Sequence, residues 1–178
     1  MNRRQFIIAG TAGLTALAGC SGSDLPTGNE SEPSTAAENE LRTEIVETTN
    51  AATVDFAQAD RELGSAQVLS SDEKWERAVE SAGDAVDAFA AAEDKFRTAV
   101  SRAEELGNLE IKNMLNEYEE ASSTGGEVAT LVEEGCEFVI NGDTDSAQSR
   151  FEEVEERRTE LQDYNLASES ELNSAMRS

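Results

Sequence analysis

Beyond residue 38 the chain repeats apolar residues at alternating spacings of three and four, which is the period of one face of an α-helix. In the first two segments one position of each repeat is usually alanine and the other is mostly bulky. A sustained seven-residue repeat keeps one face against a partner helix, and alanine lets the two backbones approach closely. The pattern therefore predicts two long helices packed as an antiparallel hairpin. The repeating positions are Ile45, Thr49, Ala52, Phe56, Ala59, Leu63 and Ala66, then Trp75, Ala78, Ala82, Ala85, Phe89, Ala92, Phe96, Ala99, Ala103 and Leu106.

Turn and capping residues divide the helical region into four main helices. The first turn is predicted near residues 70–73, where Ser70 and Glu73 have capping-box spacing. Gly107–Asn108 and Gly142–Asp143 mark the next two helix boundaries, and Ser168 can start a short fifth helix. Apolar stripes of the third and fourth helices comprise Ile111, Met114, Leu115, Tyr118, Ala121, Val128, Ala129, Val132, Cys136 and Val139, then Ala147, Phe151, Val154, Leu161 and Tyr164. We predict an all-α fold, an antiparallel four-helix bundle over residues 38–178.

One stretch of the third helix conflicts with its own pattern. Residues 122–126 read Ser-Ser-Thr-Gly-Gly, all poor helix formers, and Gly125 falls on the inward face. Two glycines alone cost a helix about 2 kcal/mol relative to alanine. Gly125 and Gly126 could form a kink or small cavity that admits a ligand. Alternatively, they mark a local break or a close packing point against Phe89 or Phe96.

The first twenty residues have the features of an export signal. Arg3, Arg4 and Phe6 resemble the twin-arginine export motif, and the Leu-Ala-Gly-Cys sequence ending at Cys20 resembles a lipoprotein lipobox. The apolar run 6–19 would reach only about 21 Å as a helix, against a membrane core of roughly 30 Å. We therefore expect residues 1–19 to be cleaved and Cys20 to carry a lipid. The protein would then lie at the extracytoplasmic face of the cell membrane.

Residues 20–37 are expected to link this lipidated cysteine to the bundle. The segment is polar and contains both prolines of the chain, so it buries too little apolar surface to fold. As a flexible coil, residues 21–37 would span about 23 Å on average. Asn29 begins the Asn-Glu-Ser glycosylation sequon, in a position that an enzyme could reach.

The charge of the chain restricts both its solvent and its partners. Beyond residue 19, 38 acidic residues face 12 basic ones, of which only three are lysines. This excess of acids and scarcity of lysine resemble the secreted proteins of salt-loving archaea, and the whole chain resembles a haloarchaeal lipoprotein exported by the twin-arginine route. Because phosphate would be repelled, we expect no nucleic-acid binding. The lipid on Cys20 would be the contact with the membrane.

Few residues could perform catalysis. The chain has no histidine, which excludes imidazole-based triads and histidine-containing zinc or di-iron sites. Cys136 lies on the apolar stripe between Val132 and Val139, so it is predicted to be a buried structural thiol. With Cys20 lipidated, no intramolecular disulfide is expected. We predict neither enzymatic activity nor a cofactor.

Residues 141–152 resemble a calcium-binding loop in part. Oxygen-bearing residues occupy five of its ligand positions, but Ser146 stands where the loop requires glycine and Gln148 where it is usually apolar. A helix N-terminus capped by Asp143 explains the same residues more simply, so no metal is expected. The Gly142–Ala147 sequence also resembles the turn of a tetratricopeptide repeat, but no second copy occurs at the 34-residue period.

Two classes of function fit these observations. The first is a lipid-anchored module that binds another protein of the cell envelope through a helix face. The alternative is a bundle that binds a small molecule, such as a solute or a signal, between its helices. A pocket with convergent polar groups near Gly125 would favour the small-molecule binder. A filled core with an exposed apolar patch would favour the interaction module.

The net charge predicts that the fold depends on salt. Self-repulsion among so many carboxylates destabilises a compact state unless ions screen it, and the screening length falls from about 10 Å at 0.1 M salt to about 3 Å at 1 M. We expect the melting temperature, followed by circular dichroism, to rise between about 0.1 M and 3 M KCl. A melting temperature that does not change over this range would contradict the halophilic interpretation.

Overall fold

Five helices make up the part of the chain that the structure describes. The computed structural model describes residues 35–164 and 166–175, and no strand occurs among them. The helices are α1 (Ala36–Ser71), α2 (Trp75–Leu106), α3 (Leu109–Ile140), α4 (Thr144–Asp163) and α5 (Glu169–Ala175). The prediction of an all-α helical bundle with four main helices and a short fifth one is confirmed.

α1 begins two residues before the expected start of the bundle. The Thr35 side chain accepts a hydrogen bond from the Glu38 backbone N–H at 3.2 Å, and the Glu38 carboxylate accepts one from the Thr35 N–H at 2.7 Å. This capping box satisfies backbone donors that the first helical turn leaves unpaired. The last residues assigned to the linker, Ala36 and Ala37, are therefore helical.

The first interhelical turn lies close to the predicted residues, between Ser71 and Trp75, but lacks the predicted cap. α1 continues through Ser70 to Ser71, and the Ser70 hydroxyl donates a hydrogen bond to the Gln67 carbonyl at 2.9 Å. Because that hydroxyl is used within α1, the predicted capping box of Ser70 and Glu73 is wrong. Glu73 instead makes the turn with φ of 59°, and α2 follows Lys74, which supplies no side-chain cap.

The other predicted helix boundaries are confirmed. Gly107 and Gly142 adopt φ of 74° and 79°, the left-handed conformation that glycine accepts without steric cost. Asp143 caps α4 by accepting a hydrogen bond from the backbone N–H three residues later, at 3.2 Å. Ser168 and Glu171 exchange backbone and side-chain hydrogen bonds in a capping box at the start of α5.

α1 and α2 form the predicted antiparallel hairpin. Arg102 near the end of α2 pairs with Glu44 near the start of α1 at 3.1 Å, whereas Ser81 and Ser65 meet near the turn. We call the alanines between the two helices the alanine seam, and each has no exposed surface. They are Ala52, Ala59, Ala66, Ala78, Ala85, Ala92 and Ala99. Their complete burial confirms that this face is turned inward, and Cα atoms of α1 and α2 lie within 8 Å of one another.

Four aromatic rings fill the middle of the bundle. Phe56 of α1 meets Phe89 of α2 edge-on at 5.6 Å between ring centroids, and it meets Tyr118 of α3 edge-on at 6.2 Å. Phe96 stacks on Tyr118 at 5.0 Å. The buried residues form two groups, one on each side of these rings, and Phe56 packs against both groups. The rings thus join α1, α2 and α3 into one core.

The C-terminal segment covers one end of this core. Leu172 and Ala175 of α5 are buried among residues of α1, α2 and α3. The Tyr118 hydroxyl donates a hydrogen bond to the Ala167 carbonyl at 2.6 Å, and the Asn108 side chain donates one to the Ala175 carbonyl at 3.3 Å. These contacts bring α5 to the end of the bundle that contains the α2–α3 turn.

The helices pack mainly in chain order. α2 packs along both α1 and α3, and α4 packs along α3. Within the described residues, no Cα atom of α4 comes within 8 Å of a Cα atom of α1 or α2. Among the described helices, α4 is therefore attached through α3, and one of its flanks has no other described helix beside it.

The alanine seam predicts a specific response to larger side chains. Leucine at Ala85 or Ala92 must separate the backbones or adopt a strained rotamer, which typically costs about 1–3 kcal/mol per site. The same substitution at Ala90 or Ala91, which are exposed on α2, serves as the matched control. We expect thermal melts in one high-salt buffer to show lower stability only for the Ala85→Leu and Ala92→Leu variants. Equal stability of all four variants would show that the helices do not meet closely at this face.

Candidate functional site

Gly125 is a packing point and not an opening in the core. A β-carbon built on Gly125 would lie 2.5–2.9 Å from three ring carbons of Phe89, so the ring occupies the space that a side chain would need. α3 remains helical from Leu109 to Ile140, so the expected alternative of a local break is wrong. Gly126 makes only ordinary contact, 3.6 Å from the position of its missing β-carbon to Phe89 Cβ. The close packing against Phe89 is confirmed, whereas Phe96 stacks on Tyr118 instead.

A second glycine repeats this arrangement between α3 and α4. A β-carbon on Gly135 would lie 2.7 Å from Cε1 of Phe151. Sequence reasoning missed this contact, although Phe151 was placed on the apolar stripe of the fourth helix. The signal available was a glycine one helical turn before Val139 and next to Cys136, on the inward face of α3.

Cys136 is buried, as predicted. Its side chain has no exposed surface and belongs to the core with Val132 and Val154. Burial in this apolar environment raises the pKa of the thiol to about 11. At neutral pH the group is therefore a thiol and a poor nucleophile.

The segment from residue 141 to residue 152 is a helix start. The Asp143 carboxylate accepts hydrogen bonds from the Ser146 hydroxyl at 2.7 Å and from its backbone N–H at 3.2 Å, which lowers the pKa of Asp143. Its oxygens are thus used in capping α4, as the simpler interpretation predicted. Within residues 35–164 and 166–175, no three acidic or thiol side chains are arranged to hold a metal ion.

Glu133 of α3 is a half-buried acidic side chain surrounded by other carboxylates. Burial raises its pKa first, followed by repulsion from Glu137, Asp87 and Glu134. The chain has no histidine, and the charged groups that raise the pKa of Glu133 are all carboxylates. The pKa shift is an effect of crowding acids between α2 and α3.

An apolar groove opens between the end of α3 and the first three turns of α4. Its volume is about 530 Å³. We call it the α3–α4 groove, and it is lined by Val139, Thr144, Ala147, Gln148, Phe151, Glu152 and Glu155. Ile140, the residue that follows Val139, is 45% exposed. The groove therefore presents an apolar floor at the surface, with polar and acidic side chains around it.

The groove lies on one flank of α4 and ion pairs lie on the other. Arg150 pairs with Glu134 of α3 at 2.8 Å, and Arg157 pairs with Glu127 of α3 at 3.3 Å. At 100° per residue, positions 150 and 157 project from the flank opposite to that of positions 148, 152 and 155. Arginine side chains therefore bridge α4 to α3 along one edge, while the groove edge has no such bridge.

The residues of the proposed export signal and anchor lie outside the described residues. This applies to Arg3, Arg4, Phe6, Cys20 and Asn29. None of the described helices is both long and apolar enough to cross a membrane.

No family model, curated protein or solved structure matches this chain.

Opposite effects are expected when two glycines of the bundle are replaced by alanine. Gly125→Ala places a methyl group against the Phe89 ring and should lower the free energy of unfolding by about 1–3 kcal/mol. Gly64 is an exposed helical residue of α1 whose β-carbon would meet no atom within 4 Å, so Gly64→Ala should raise stability by about 0.4–1 kcal/mol. Thermal or urea unfolding of the two variants measures both values. Stabilisation by Gly125→Ala would mean that the site holds free space.

Proposed function

We propose that the protein is a lipid-anchored module that binds another protein of the cell envelope through a helix face. One observation carries this proposal: an apolar groove is exposed between α3 and α4, while the ring of Phe89 fills the space at Gly125. A filled core with an exposed apolar patch is typical of interaction surfaces.

Features of the N-terminal sequence support the anchoring part of the proposal. Arg3, Arg4 and Phe6 match positions of an export motif, and Cys20 closes a four-residue sequence of the lipobox type. Fourteen residues separate Cys20 from Thr35, the cap of α1, and as a coil they would span roughly 20 Å. Such a tether would let the bundle meet a partner close to the membrane.

The composition of the described helices supports a protein partner. Each of α1 to α4 carries at least twice as many acidic as basic residues, so the surface repels phosphate groups and anionic lipids. The small-molecule alternative rests on a pocket near Gly125, and the packing of Phe89 against that glycine leaves it without support.

Anchoring is tested by separating membranes from soluble material. Replacing Cys20 with serine should release the protein from membranes or leave the precursor uncleaved, because serine cannot accept the thioether-linked lipid. The matched control is Ser23→Ala, which changes the same linker and should leave the protein in the membrane fraction. Replacing Arg3 and Arg4 with lysine should keep the precursor in the cytoplasm. Correctly cleaved Cys20→Ser protein that remains in membranes would overturn the lipid anchor.

A further inference from the structure

We propose that the α3–α4 groove binds a single amphipathic helix of a partner protein, whose apolar face is flanked by lysine or arginine. This proposal rests on the proposed function and specifies the chemistry of the partner. The groove supplies three independent arguments: its place in the bundle, its apolar floor and the charge of its rim.

The groove lies where a further helix could pack against α4. α4 packs on α3, and among the described residues α1 and α2 stay more than 8 Å from it between Cα atoms. From Thr144 to Glu155 the groove follows α4 for three turns, about 16 Å. A helix of similar length can lie beside α4 at the usual axial separation of about 8–10 Å.

The floor of the groove suits aliphatic side chains. Val139 and Phe151 are partly buried and Ala147 is 3% exposed, so the floor is apolar and is not filled by the described residues. Phe151 is held in place because its ring packs against Gly135. A helix that places two or three leucine-like side chains here would remove this apolar surface from water.

The rim of the groove is acidic. Glu152 forms no ion pair within the described residues and accepts a hydrogen bond from the Gln148 side chain at 2.8 Å. Glu155 is 76% exposed and has one long contact, 3.4 Å, with Arg158 of its own helix. No basic side chain lines the groove. Charge complementarity therefore favours a partner helix with basic residues beside its apolar face.

The same charges exclude a second copy of this chain as the favoured occupant. Each of α1 to α4 carries at least two acidic residues for every basic one, so any of these helices would bring carboxylates against Glu152 and Glu155. Like charges brought together at an interface oppose binding. A self-complex through the groove is thus an outcome that the test must be able to detect.

The test uses a synthetic peptide as the probe. A labelled helix of about 14 residues, with leucines on one face and lysines on both sides of it, is titrated with the full chain carrying Cys20→Ser. Fluorescence anisotropy is measured at the lowest KCl concentration at which circular dichroism shows full helicity. Two control peptides replace the lysines with glutamates or the leucines with glutamines. Binding of the leucine–lysine peptide alone is expected, and equal binding of either control peptide would overturn the proposal.

Paired charge reversals locate the binding site. Glu152→Lys with Glu155→Lys should weaken peptide binding at least about tenfold, because both changes reverse the rim of the groove. Glu156→Lys with Asp163→Lys makes the same change in net charge at exposed positions of α4 outside the groove, and it should alter affinity less than about twofold. Equal loss in both pairs would show attraction to net charge alone and would overturn the groove as the site.

Two further results separate this proposal from the proposed function. Sedimentation velocity of the peptide-free chain should show a monomer, and a dimer that the Glu152 and Glu155 reversals strengthen or weaken would make a second copy the occupant and overturn the proposal. Release of the Cys20→Ser protein from membranes is measured independently. If release occurs but the peptide fails to bind, the basic-helix proposal is wrong and the anchor is retained. If the peptide binds but correctly cleaved Cys20→Ser protein remains in membranes, the anchor is wrong.

Discussion

Close approach of helix backbones is the constraint on which the rest of this bundle depends. Alanine side chains bury little apolar area, so the alanine seam stabilises the hairpin only if backbone atoms themselves come into contact. Because the helices are so close, a large aromatic ring fits between them only where the facing helix has a glycine. Phe89 lies against Gly125, and Phe151 lies against Gly135. Both pairs follow from the same requirement, and they fix how α3 sits against α2 and how α4 sits against α3.

Close packing of the helices also brings the many carboxylates of the surface near one another, where they repel. Few cations are present, and several arginines contact carboxylates on two helices at once. Arg97 pairs with Glu119 of α3 as well as with Glu93 of its own helix, and the hydrogen bond to Glu119 is the main cause that raises the pKa of Arg97. Exposed ion pairs of this kind are individually weak. Their placement between helices nevertheless reduces repulsion where carboxylates would otherwise face one another.

The unequal attachment of the four long helices explains where a partner could bind. α1, α2 and α3 share an aromatic core, whereas α4 contributes two buried residues, Ala147 and Val154, to the described core. One edge of α4 is bridged to α3 by arginines and the other edge is the α3–α4 groove. The interaction surface of the proposal therefore lies where the bundle is least complete.

The sequence by itself determined the helices, most of their ends and their inward faces, because a 3.6-residue period and glycine or Asp caps are local properties. It also determined that Cys136 is buried, and it offered contact with a ring as one of several interpretations of Gly125. Only the tertiary structure decided which ring Gly125 contacts, that Gly135 accommodates Phe151, and that Glu73 rather than a capping box makes the first turn. It likewise decided that, among the described helices, α4 packs on α3 alone, which leaves the groove exposed. The apolar period of a helix shows which face turns inward, but the neighbour of that face depends on distances between segments far apart in the chain.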